Sequence, residues 1–148
     1  MKKVLLVLTL VLGTLVSNGQ RKIKIDLEDG LGNIVPMTFV INDTNSVKEY
    51  LKNIDLISPL KTGKKRSFEF LEMFIGMSNI ELKYKMKNAT SYKPIQSTKN
   101  VVSYNKEKNR LEVVMTSSAK NGYGNPIEDI HMVGFSNDTN YILGKLIF

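Results

Sequence analysis

Ile23, Ile25 and Leu27 alternate with Lys22, Lys24, Asp26 and Glu28. This period of two is the feature that most restricts the fold. It demands a strand with one face buried and the other wet. Asp29-Gly30-Leu31-Gly32-Asn33 follows, a turn sequence whose glycines can take positive φ, and residues 34–41 read as the returning strand. Pro36 places that strand near a sheet edge. The same grammar recurs twice. Residues 101–104 and 111–116 flank the polar turn 105–109, and residues 130–135 and 141–148 flank the turn 136–140. Residues 117–126, rich in Ser, Gly and Asn, read as a loop.

Two segments depart from this pattern. Val47, Tyr50, Leu51 and Ile54 follow helical spacing after several candidate caps at 42–46, and Ser58-Pro59 ends the run. Ser67 caps a second short helix with Phe68, Leu71, Phe74 and Ile75 as its buried stripe and Gly76 as its stop. Beyond it, Ile80, Leu82, Tyr84 and Met86 alternate with Glu81, Lys83, Lys85 and Lys87, which predicts a strand over 80–87 in preference to the capping box at Ser78 to Glu81. The expected fold is therefore α+β, with two short helices packed on a mainly antiparallel sheet.

The start of the chain reads as an address. Lys2 and Lys3 precede an apolar run over 4–16, and Ser17-Asn18-Gly19 supplies small residues for cleavage before Gln20. This is the layout of a secretory signal peptide over 1–19, too short to span a membrane comfortably. Residues 20–148 are then one exported domain, periplasmic or extracellular. The chain has no cysteine, so neither disulfides, thiolate metal sites nor lipid attachment through cysteine enters the reading.

Charge is uneven. Without residues 1–19 the chain carries 19 basic and 14 acidic residues, and 12 of the basic ones fall within 61–110 against 4 acidic. A patch of this kind attracts acidic partners. Its candidate ligand-binding residues are Lys64, Lys65, Arg66, Lys83, Lys85 and Lys87, the last three sharing one face if 80–87 is a strand. Only Arg21, Arg66 and Arg110 are arginines, and no motif specific to nucleic acid is present.

Catalytic signals are sparse. His131 is the only histidine, and on a strand it shares a face with Asp129, which could orient the imidazole. A hydrolase would further need a serine brought nearby from elsewhere. Asp26, Glu28 and Asp29 fail calcium-loop spacing and read as a hairpin turn, and no spacing singles out a carboxylate pair. No cofactor or metal motif is present. The expected function is a non-enzymatic interaction module binding a protein or an acidic envelope component, the alternative being a small hydrolase acting on glycan or peptide.

Residues 63–74, from Gly63-Lys64-Lys65-Arg66 to Met73-Phe74, followed by Asn79-Ile80-Glu81-Leu82, resemble a segment of small secreted Bacteroidota proteins. In those a short helix leads to a Gly-Trp-x-Leu strand, where this chain has Ser78-Asn79-Ile80. Thr90 to Ile95 and Ala119 to Gly124 are similar to S-Y-x-P and K-N-x-F/Y-G motifs of other small exported domains. The resemblance implies an exported bacterial α+β domain and carries over no catalytic residue.

Overall fold

The computed structural model describes residues 20–57, 67–136 and 144–147. Among these residues seven strands form one sheet: β1 (Arg21–Glu28), β2 (Ile34–Ile41), β3 (Lys93–Ile95), β4 (Val101–Asn105), β5 (Arg110–Lys120), β6 (Pro126–Ser136) and β7 (Gly144–Ile147). Helices α1 (Thr44–Ile57) and α2 (Ser67–Lys85) and a 3-10 turn, Ala89–Ser91, lie between β2 and β3. The strand order is β1-β2-β4-β5-β6-β7, with β3 also on β5. Every pairing is antiparallel except β2 with β4. The α+β class read from the sequence is the class observed.

The first hairpin forms as its residues require. The Asp29 carboxylate accepts from the backbone N–H of Leu31 and of Asn33, both at 2.8 Å, and from the Asn33 side chain at 3.0 Å. These bonds hold the carboxyl below the usual aspartate range. Gly32 takes φ +83°. Gly30 answers a different demand: a Cβ there would lie 2.1 Å from the Ala89 carbonyl oxygen. Pro36 lies where β2 has only β1 beside it, because β4 pairs with β2 at Val40 and Ile41 alone. Helix α1 is capped by Asp43, whose Oδ1 accepts from the Ser46 N–H three residues on.

One face of the sheet is covered by both helices. Ile23, Leu27, Met37, Phe39, Val102, Val113, Met115 and Val133 line it, against Val47, Tyr50 and Leu51 of α1 and Leu71, Phe74, Ile75 and Leu82 of α2, all buried. Tyr50 joins the layers. Its ring packs 5.1 Å from Tyr104 and 6.3 Å from Phe74, and Phe74 lies 4.7 Å from Phe135. The Tyr50 hydroxyl donates to the Phe135 carbonyl at 3.0 Å, and burial pushes its pKa well above the ordinary tyrosine value.

The strand predicted over 80–87 is not formed. Helix α2 runs through Gly76, where a stop was predicted, to Lys85. A Cβ on Gly76 would meet nothing, so the helix passes it at only the intrinsic cost of glycine. The decisive contacts come from Ser78 and Asn79, both buried. Ser78 Oγ donates to the Phe74 carbonyl one turn back at 2.8 Å. Asn79 donates to the Glu28 carbonyl at 2.9 Å and accepts from the Tyr92 hydroxyl at 2.8 Å. Satisfying these buried polar groups fixes the helix at the residues where the alternation pointed to a strand.

Half of the predicted loop over 117–126 is strand as well, and the loop is confined to 121–125. β5 continues to Lys120 and β6 starts at Pro126. Its long edge is shared: β4 pairs with 110–114 and β3 with 116–118. Asn100, fully buried, seals the break between them. Its Oδ1 accepts from the Thr116 N–H at 2.8 Å, its Nδ2 donates to the Ile95 carbonyl at 3.0 Å, and its own carbonyl accepts from Val40 at 3.0 Å. Asn100→Ala would orphan the Thr116 N–H, and we expect a loss of about 2–3 kcal/mol in urea denaturation. A loss under about 0.5 kcal/mol would contradict this role for the side chain.

Candidate functional site

β5 and β6 run past the end of α2, and there the covered face of the sheet changes chemistry. The register pairs Met115 with His131, Ser117 with Asp129 and Ala119 with Ile127, so these six side chains share the face that carries the core. Met115 belongs to the core, whereas Ser117 and His131 are buried polar groups. Met86 and Lys87, just beyond α2, come over this end of the sheet and close one side of an open pocket of about 190 Å³. Met86, Ala119 and Ile127 give it apolar walls, Ser117, Asp129 and His131 contribute polar groups, and Lys87 and Lys120 bring two cations.

The pocket places a serine in the neighbourhood of Asp129 and His131, which the sequence left unassigned. The signal was present as Met115-x-Ser117-x-Ala119, a period-two continuation of the strand, hidden by the polarity of the segment. The three groups do not form a relay. The Ser117 Oγ is buried without a hydrogen-bond partner, so no bond joins it to His131. Asp129 Oδ1 accepts from the Ile130 N–H at 2.8 Å. A nucleophile needs a base within hydrogen-bond reach, and that contact is not made here.

The six predicted ligand residues divide. Lys64, Lys65 and Arg66 lie outside the described residues. Lys83 and Lys85 stand on the last turn of α2, where the helix dipole favours cations. They do not share a face, because residues two apart on a helix point to nearly opposite sides; the common face expected from a strand is corrected accordingly. Lys83 is half-buried, and exposed Lys85 lies 3.8 Å from Glu81. Lys87 is exposed and lines the pocket. Lys120, which the sequence reading missed, lines it too. Among the described residues no group of three or more His, Cys, Asp or Glu is placed to hold a metal ion.

No known protein family, curated protein or solved structure matches the chain. The site therefore stands on its geometry.

The orphaned hydroxyl gives a direct check. A buried Ser Oγ without a partner keeps the desolvation cost of a polar group and gains no hydrogen bond. Ser117→Ala is expected to leave thermal stability unchanged or to raise it by up to about 1 kcal/mol. A loss of more than about 1 kcal/mol would mean that the hydroxyl is bonded in the folded protein.

Proposed function

We propose that the protein is an exported, non-enzymatic binding module that takes an acidic partner, a protein or a polyanionic envelope component, at the end of the sheet beyond α2. One observation carries this reading: Lys87, in the turn after α2, and Lys120, at the end of β5, line one pocket with apolar walls. Lys83 and Lys85 on the preceding helical turn extend the positive field. The pocket's one carboxylate, Asp129, is engaged by a backbone N–H and offsets only part of that charge. Among the described residues no helix is long and apolar enough to cross a membrane.

Binding of this kind is electrostatic at its rim. Retention on an immobilised polyanion such as heparin is expected at low ionic strength and should be lost near 1 M salt, where the screening length falls to about 3 Å. Lys87→Glu with Lys120→Glu should abolish retention, while Lys22→Glu with Lys24→Glu on β1 should weaken it far less. Equal retention of the two double variants would sink the proposal, since the interaction would then follow net charge and not this site.

A second reading, a small hydrolase acting on glycan or peptide, draws on the shared face of Ser117, Asp129 and His131. It requires Ser117 to reach the imidazole, a contact absent from this arrangement. Turnover of glycan or peptide substrates that vanished in both Ser117→Ala and His131→Ala, with folding intact, would replace the first reading by this one.

A further inference from the structure

Helix α2 is apolar on two opposite sides. Leu71, Phe74, Ile75 and Leu82 face the core. On the other side Met73, Met77, Ile80 and Tyr84 are 41%, 37%, 54% and 78% exposed. At 3.6 residues per turn these four fall within an arc of about 60°. Their separations run four, three, four, the spacing of a coiled-coil seam in which two positions of each heptad meet a partner helix. Four large apolar side chains in one exposed line are more than the scattered exposure usual on a soluble surface.

The spacing reads the same from either end. A helix carrying it can therefore meet a second copy of itself run antiparallel, with Met77 opposite Ile80 and Met73 opposite Tyr84 about a two-fold axis at the centre of the stripe. The charges agree with that arrangement. Exposed Glu72 and half-buried Lys83 lie on the same flank of the stripe, on opposite sides of its centre. An antiparallel two-fold brings Glu72 of each copy nearly level with Lys83 of the other, twice over. In a parallel pairing each residue would be level only with its own counterpart. An isologous contact of this kind is the commonest way for identical chains to associate.

We propose that the outer face of α2 is the interface of a homodimer, in which two copies pack antiparallel along Met73, Met77, Ile80 and Tyr84 with reciprocal Glu72–Lys83 pairs. None of these residues lines the pocket, and the proposal does not rest on the binding function assigned to it. One helix face is a small interface, so the dimer forms reversibly, with a dissociation constant in the range of about 1–100 µM.

Sedimentation equilibrium of the purified protein, over about 5 to 500 µM, tests this. The wild type is expected to pass from monomer to dimer across that range. Ile80→Glu places a charge at the centre of the seam on an already exposed position, so the fold is kept and association weakens at least about tenfold. Lys83→Glu weakens it several-fold, and Glu72→Lys combined with Lys83→Glu restores it by re-pairing the flank. Circular dichroism of each variant verifies folding. A wild type that stays monomeric to the highest concentration would overturn the proposal, as would a dimer indifferent to Ile80→Glu. Failure of the double charge reversal to restore association would overturn the antiparallel arrangement. A monomer that instead binds vesicles of anionic phospholipid through Ile80 would assign the stripe to a lipid surface.

Discussion

Asn79 decides how α2 sits, and much of the molecule follows from it. Its amide reaches the last carbonyl of β1 on one side and the Tyr92 hydroxyl on the other. Tyr92 is itself buried, which raises its pKa well above the ordinary value, and its carbonyl accepts from Gly30 N–H at 2.7 Å. The first hairpin, the helix and the segment entering β3 are thus held at one point, closed so tightly that position 30 has no room for a side chain. With Asn79 turned inward, the helical repeat turns Met77, Ile80 and Tyr84 outward and carries Met86 and Lys87 to the end of the sheet. The exposed apolar stripe of α2 and the pocket are both consequences of that single orientation.

The segment around Asn79 also explains where the sequence was legible and where it was not. The hairpin of β1 and β2 could be read because only one face of that ribbon is buried, so polarity tracks direction residue by residue. Helix α1 was legible for the same reason. The C-terminal half of α2 was not. Leu82 points to the core while Ile80 and Tyr84 point away from it, and the sequence cannot distinguish this from one strand face bearing all three. A helix that is apolar on both sides loses the contrast on which periodicity depends.

A second kind of illegibility lies at the edges of β5 and β2. Asn100 and Gln96 substitute side chains for ladder bonds, Asn100 to Thr116 and Gln96 to the Thr38 N–H at 2.7 Å. Such contacts link positions remote in sequence and leave no local pattern. The strand extension that brings Ser117 opposite Asp129 was concealed by its polarity, which suits a part of the sheet lying beyond the cover of α2. The polar face read as a loop is the wall of the pocket. Of the candidate site, the sequence disclosed Lys87 and the pairing of Asp129 with His131 on one strand face, whereas Ser117 and Lys120 depended on strand register.

The central claim is that Asn79 and Tyr92 act as one clasp, and a double-mutant cycle measures it most directly. Asn79→Ala, Tyr92→Phe and the combination would be compared by urea denaturation. A coupling energy of about 1–2 kcal/mol is the predicted result, because either single change already breaks the bond the other shares. Additive losses, with coupling under about 0.3 kcal/mol, would contradict it and leave α2 positioned by apolar packing and the separate bond from Asn79 to the Glu28 carbonyl.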